Sequence, residues 1–294
     1  MMNASAIVIR KLEKLFGRFK LGPLNLTVPQ GAIYGLIGPN AAGKTTTIDL
    51  ILGLGREDGG SIRIFGLDHR DQEVEIKRRV GYVSPDVSYN AWKKVKRLIH
   101  FIRQFYPNWD DAYCKHLLES LDVGWDDKIS TMSFGSRVKL GLVVALSHHP
   151  DLLLLDEPTI GVDAVSKKQI FSELLNAVQD ESRTVLISSH GLTDIERFAD
   201  HIGMIKNGQL LLEGPTVEIV ESYRMVDFVY GDGSKPPRIP GAYLQERSGN
   251  RWRALVDLRI NDEERLTRNG AREVKTTGVT LEELFVALTL AKED

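Results

Sequence analysis

Residues Gly38-Pro39-Asn40-Ala41-Ala42-Gly43-Lys44-Thr45 follow the pattern G-x-x-x-x-G-K-[ST]. Its chemistry demands a strand that stops, a loop that turns its backbone N–H groups around a phosphate, and a helix that starts at once. The positive end of that helix then faces the same point. The flanking sequence meets this demand. Ala32 to Ile37 is a short apolar run of buried-strand type, and Thr45 to Leu54 reads as helix. In such a loop Gly38, Pro39, Asn40, Ala41, Ala42 and Gly43 wrap the phosphates. Lys44 reaches the β- and γ-phosphates, and the Thr45 hydroxyl ligates Mg²⁺, with Thr46 beside it.

A second element lies downstream. Leu152-Leu153-Leu154-Leu155-Asp156-Glu157-Pro158 is an apolar strand ending in two carboxylates. Asp156 is placed to hold Mg²⁺, directly or through water, and Glu157 to accept a proton from an attacking water. Taken alone, the same residues describe a strand followed by an acidic turn. His190 ends a third apolar run, Thr184 to Ser189, and is positioned to reach the γ-phosphate.

Strands alternate with helices, which indicates a mostly parallel sheet covered by helices. Ile7-Val8-Ile9 and Leu24 to Val28 read as extended, with a turn at Gly22-Pro23, and Ser61 to Phe65 alternates as an edge strand would. From about Gln72 to Leu121 the pattern is helical. Trp92, Val95, Leu98, Ile99, Ile102 and Phe105 form one stripe, and Lys93, Lys94, Lys96, Arg97 and Arg103 lie on the other face. Pro107 breaks that helix, and another spans Asp110 to Leu121. Asn207-Gly208 marks a hairpin between Ile202 to Lys206 and Gln209 to Glu213. His148 and His149 read as the end of a helix rather than as ligands.

A boundary falls near Gly214-Pro215. Beyond it, the turn-rich loop Gly231 to Pro237 joins strand-like pieces at Val226 to Tyr230 and Trp252 to Leu258. A closing helix starts at a capping box, Thr280 with Glu283, and carries Leu281, Leu284, Phe285 and Leu288 on one face. The 42% hydrophobic content over 294 residues excludes dominant disorder, and a net charge of −2 gives no global pull on nucleic acid or membrane. The single Cys114 excludes an internal disulfide and fits a reducing compartment. The first residues lack the apolar stretch of a secretory signal, and no window is apolar enough to span a bilayer.

With these residues quoted, the chain resembles the ATP-binding subunit of an ABC transporter. The motifs run in that family's order: the P-loop, Ser133-Phe134-Gly135-Ser136, the Leu152–Pro158 run, Gly161-Val162-Asp163 and Ser188-Ser189-His190. The resemblance covers roughly residues 5–215. It implies an α/β P-loop NTPase fold with a mixed sheet, a helical subdomain inserted at about 72–147, and a small α+β extension. On this reading 1–215 is the ATPase domain and 216–294 an accessory domain. The cofactors implied are ATP and Mg²⁺. Glu157 and His190 would be catalytic. Ser133 and Gly135 would bind the γ-phosphate held by the opposite subunit, consistent with Ser133 being a good N-cap. The partners implied are a separate membrane permease and a second ATPase chain, identical or paralogous, at the cytoplasmic face of the inner membrane. No nucleic acid is expected.

Three positions depart from the family. Its signature is usually Leu-Ser-Gly-Gly-Gln, against Met132-Ser133-Phe134-Gly135-Ser136 here. A family glutamine that senses Mg²⁺ normally follows Gly-Tyr-Val-Pro. Here Gly81-Tyr82-Val83-Ser84 leads to Pro85-Asp86, and Asp86 is a candidate replacement ligand. The aromatic that stacks on adenine would be Phe16, where tyrosine is commoner; a core aromatic is the other reading. The basic face at 93–103 fits a coupling helix of a permease, anionic headgroups or simple solvation.

The leading reading is an ATP-hydrolysing motor for a permease. Thr280 to Leu288 resembles the closing segment of ATPases serving type-two exporters, which favours efflux. A second reading is an ATP-switched protein acting on ribosomes or DNA. Such relatives usually carry two ATPase modules or a long coiled-coil insert, and neither is present. A third, an inactive partner chain, is opposed by Glu157 and His190. The cargo is not legible, since specificity would lie in the permease.

Overall fold

The computed structural model describes residues 4–181, 183–230, 241–260, 267–268 and 270–290. The chain divides into two units. One comprises Met1–Gly191 with Phe198–Leu212, the other Leu192–Arg197 with Glu213–Asp294.

The first unit opens with β1 (Ser5–Phe16) and β2 (Phe19–Pro29), paired antiparallel about a turn at Gly17-Arg18. The Gly22-Pro23 step, expected to be that turn, lies inside β2. The ladder passes from Leu12↔Leu24 to Lys14↔Leu21 around it, because Pro23 has no N–H to donate. β4 (Gly59–Ile64) pairs with β1 on one side and with the two-residue β5 (Leu67–Asp68) on the other, so it is interior rather than an edge. Alternation reports one buried face, here Ile62 and Ile64, and is silent about position in the sheet.

The second sheet of this unit has six strands. Their order is β10 (Gln209–Pro215), β9 (His201–Lys206), β3 (Ile33–Ile37), β8 (Thr184–Ser189), β7 (Leu152–Asp156) and β6 (Val80–Val83). The ladders joining β6 through β9 are parallel, and β10 returns as a hairpin arm across Asn207-Gly208. β3, β7 and β8 are buried at every residue, as strands covered on both faces must be. Leu152 to Leu155 are fully buried, each worth about 1.5–3 kcal/mol. β6 corrects the continuous helical reading from Gln72. Only α2 (Glu73–Arg78) is helix there, and the chain then adds an edge strand before the helical segment begins.

Among the described residues, the largest fully buried side chain is Tyr34, in β3. Neighbouring β9 carries Gly203 in register with Leu36. A Cβ on Gly203 would lie 2.2 Å from the Tyr34 hydroxyl oxygen, so the tyrosine occupies space that the glycine leaves open.

Helices α1 (Lys44–Ile51), α3 (Val95–Ile102), α4 (Asp111–Ser120), α5 (Phe134–Leu146) and α6 (Ala164–Glu181) complete the unit. Asp110 caps α4 by accepting from Ala112 N and Tyr113 N, both at 2.8 Å. Helix α7 (Leu192–Phe198) precedes β9.

The second unit is α+β. Its antiparallel sheet has the order β12 (Ala242–Ser248), β13 (Arg251–Asp257), β11 (Tyr223–Tyr230) and β14 (Ala271–Thr277). β12 and β14 were not anticipated, and the expected loop Gly231 to Pro237 lies outside the described residues. Val226, Phe228, Trp252, Ala254, Val256 and Ala271 form its core. Helices α8 (Thr216–Glu221) and α9 (Leu281–Leu290) belong to this unit. The capping box of α9 forms as read: Thr280 N donates to Glu283 at 2.9 Å, and Glu283 N to Thr280 Oγ1 at 3.1 Å.

Candidate functional site

The parallel register sets the site. It aligns Ile37 with Ser189 and Asp156 with Ser188, so β3, β7 and β8 end together. The segments that follow these strands carry the P-loop, Glu157 and His190. Clefts at the carboxyl ends of parallel strands are where such sheets bind ligands.

Gly43 adopts φ +110° and begins α1, and a Cβ there would meet Leu21 Cδ1 at 2.8 Å. The first turn of α1 carries no acidic residue, so its amide end keeps its positive field. Lys44 is 5% exposed and folds back over the loop. Its Nζ donates to the carbonyl of Gly38 at 2.8 Å and of Pro39 at 3.1 Å, and lies 3.1 Å from Glu157 Oε1. Thr45 is exposed and Thr46 half-buried.

Glu157 takes a left-handed backbone conformation, φ +46°, immediately after β7. That turn places its carboxylate between Lys44 and His190. Oε1 faces Lys44, and Oε2 lies 2.7 Å from His190 Nδ1. With Glu157 ionised, Nδ1 carries the hydrogen and donates it, leaving Nε2 free to serve as an acceptor. His190 is 47% exposed in its side chain, so that nitrogen can reach a ligand.

Asp156 is buried, and its Oδ1 accepts the Ser188 hydroxyl at 2.6 Å. The same hydroxyl oxygen accepts Glu157 N–H at 2.9 Å. The Asp156 and Asp86 charges both press on Asp49 of α1; burial, then Asp156, then Asp86 raise the Asp49 carboxyl above its usual range. Burial raises the Tyr82 phenol, and the same three carboxylates add to the effect. The Asp86 N–H donates to Ser84 Oγ at 3.2 Å. Among the described residues no cluster of three metal-ligating side chains exists. A hydroxyl and one or two carboxylates are the hard oxygen donors that Mg²⁺ takes alongside substrate phosphates and water, and Thr45, Asp156 and Asp86 fit that pattern.

Ser133 caps α5. Its Oγ accepts Ser136 N at 3.1 Å and lies 2.9 Å from Ser136 Oγ, so a second hydroxyl stands where the family has glutamine. Gly135 is buried against Val162 and Ser166. Neither Ser133 nor Gly135 shares a hydrogen bond with Lys44, Asp156, Glu157 or His190 among the described residues. Phe16 is 51% exposed, which removes the core-aromatic reading; Lys14 Nζ lies 5.4 Å from its ring centroid.

The basic face is partly neutralised. Asp126 pairs with Lys94 at 3.0 Å and Lys96 at 2.7 Å, and Asp111 with Arg103 at 3.3 Å. Trp92 and Phe101 stack at 4.1 Å beside a recess of about 630 Å³ lined also by Lys93, Arg97 and Trp125. Phe105, read as part of the buried stripe, is 61% exposed, because α3 ends at Ile102 and the next turn is 3₁₀. His148 and His149, read as the last residues of a helix, lie just beyond it: α5 ends at Leu146 and is capped by Ser147. His148 stacks on Tyr106 at 3.9 Å, and His149 bridges Asp110 and Arg183 at 3.2 and 2.7 Å. Two side chains at the site, Ser188 and Asp49, had no assigned role in the sequence reading.

Residues 21–160 match the family model described as ABC transporter. The chain is 34% identical to the bacitracin transport ATP-binding protein of Bacillus licheniformis, over 76% of this chain and 74% of that one. It is equally identical, 34%, to the daunorubicin/doxorubicin resistance ATP-binding protein of Streptomyces peucetius, over 74% of this chain and 67% of that one. A Bacillus subtilis ABC transporter ATP-binding protein is 29% identical over 96% of this chain and 97% of its own. Among solved structures, an ATP-binding subunit of an ABC transporter superposes with a TM-score of 0.67 at 24% identity, covering 74% of this chain and 92% of that one.

Proposed function

The chain belongs to the ABC transporter family of ATP-binding proteins, and on that premise we propose that it hydrolyses MgATP to drive a separate membrane permease in export. The observation that carries the mechanism is the placement of Glu157 between Lys44 and His190. Glu157 takes a proton from the water that attacks the γ-phosphate. His190 orients that carboxylate and supplies a polar nitrogen towards the phosphate. Lys44 and the amides at the start of α1 offset the phosphate charge. Thr45 and Asp156 would hold Mg²⁺, with Asp86 in the place of the family's glutamine, and the ion would supply positive charge against the phosphates. Phe16 offers a ring face to the adenine. Two chains sandwich two ATP molecules, each site completed by Ser133 and Gly135 of the other chain. A solved ATP-binding cassette of similar fold is a dimer bound to ADP and phosphate, which supports the pairing of two chains.

Efflux is favoured by relatives named for bacitracin transport and daunorubicin/doxorubicin resistance, and by the resemblance of Thr280 to Leu288 to the closing segment of ATPases serving type-two exporters. Residues 1–215 act as the ATPase domain and 216–294 as an accessory domain. No described helix is long and apolar enough to cross a membrane. In the proposed assembly the permease supplies the span and the chain attaches at the cytoplasmic face. The aromatic and cationic recess beside α3 suits an acidic segment of that permease. These relatives carry transport names, which leaves the ribosome or DNA reading without support.

The test is ATPase activity of the purified chain with its permease. Activity should need Mg²⁺ and vanish in Lys44→Ala, with nucleotide affinity falling in calorimetry as the cation is lost. Unchanged ATP affinity in that variant refutes the phosphate-binding assignment.

A further inference from the structure

The Ser188 hydroxyl uses both of its capacities at once. Its hydrogen goes to Asp156 Oδ1 at 2.6 Å, and its oxygen receives Glu157 N–H at 2.9 Å. Ser188 is fully buried in β8, directly opposite Asp156 in the parallel register, so no water can take over either bond. One side chain on β8 thus ties together two consecutive residues on β7 that have different chemical tasks.

We propose that Ser188 is a positioning residue for both carboxylates: it fixes the Asp156 rotamer with Oδ2 turned to the metal, and it locks the left-handed turn that aims Glu157. The inference rests on the ATPase reading above. Its first half follows from donor arithmetic. A serine hydroxyl has one hydrogen; giving it to Oδ1 fixes the orientation of the carboxylate and leaves Oδ2 as the oxygen that Ser188 does not occupy. Hydrogen bonds to metal-ligating carboxylates orient them, and losing such a partner typically costs about 10- to 100-fold in metal affinity or activity. Its second half follows from the backbone. Glu157 sits at φ +46°, which is unfavourable for a side chain of this type, and the Glu157 N–H to Ser188 bond holds the peptide in that conformation. Released from it, Glu157 is free to leave Lys44 and His190.

The experiment compares wild type, Ser188→Ala and Ser188→Thr as full chains. Mn²⁺ binding is read by electron paramagnetic resonance with a non-hydrolysable ATP analogue, the analogue's own affinity is read in chelator, and ATPase is read with the permease. Ser188→Ala should weaken Mn²⁺ binding about 10- to 100-fold and lower kcat at saturating Mg²⁺, while metal-free nucleotide affinity stays at the wild-type value. Ser188→Thr, which keeps donor and acceptor, should restore both. Wild-type Mn²⁺ affinity in Ser188→Ala overturns the inference. So does a loss shared by Ala and Thr together with a lowered melting temperature, which assigns Ser188 to packing alone. If the wild-type chain binds metal and nucleotide without hydrolysing, the ATPase reading fails, and the Mn²⁺ titration still decides the role of Ser188.

Discussion

Replacing Glu157 by glutamine removes a proton acceptor and keeps a side chain of the same shape. Hydrolysis should fall by about 10²- to 10⁴-fold, the range expected for a lost general base. ATP should still bind, because Lys44, Thr45 and Asp156 are untouched, and the ATP-bound dimer should accumulate in gel filtration. Wild-type turnover in Glu157→Gln would place the base elsewhere. Most of this site was legible in the sequence, because each residue sits at a fixed offset within one short segment: Lys44 in its loop, Asp156 and Glu157 at a strand end, His190 at another. Ser188 was quoted in its motif but not given a role, since its partners are 31 and 32 residues away in sequence, and a serine in an apolar run carries no mark of what it bonds. Asp49 was missed for a related reason. Its environment comes from Asp156 and Asp86, which the chain brings to α1 from two other elements.

Among the strands of the parallel sheet, β6 was the one the sequence concealed. Val80 to Val83 is four residues long and directly follows the short helix α2, so a helical period runs through it without a break. The edge of the parallel sheet became visible only through its pairing with β7. The junction between α5 and this sheet carries a titratable group. Burial pushes His148, stacked on Tyr106, down to about 4. A histidine whose folded value lies below its ordinary 6.5 keeps the fold fully stable above 6.5. The fold loses that stability as pH falls towards 4, where the unfolded chain binds the proton more readily. The loss should reach about 3 kcal/mol. His148→Phe keeps a ring against Tyr106 and should flatten that part of the stability profile in denaturant titrations between these two pH values. An identical acid slope in both proteins would show that other groups set it.

At the scale of the whole molecule, the proposed sandwich predicts complementation. A chain with Ser133→Arg keeps its P-loop, and a chain with Lys44→Ala keeps its α5 cap. Mixed together with the permease, they should form one intact composite site and recover part of the activity that each lacks alone. No recovery over either single variant would argue that Ser133 does not act across chains. The core underneath this machinery has its own constraint. Tyr34 fills the space that Gly203 leaves open on the neighbouring strand, so residue 203 cannot gain a side chain without injury while the hydroxyl at 34 remains. Gly203→Ala alone should destabilise the chain by about 1–3 kcal/mol through overpacking, and Tyr34→Phe, which withdraws the hydroxyl, should recover part of that loss in the double variant. A lineage in which residue 203 gained a side chain would have to shorten residue 34 first, so this one contact sets the order of the two steps.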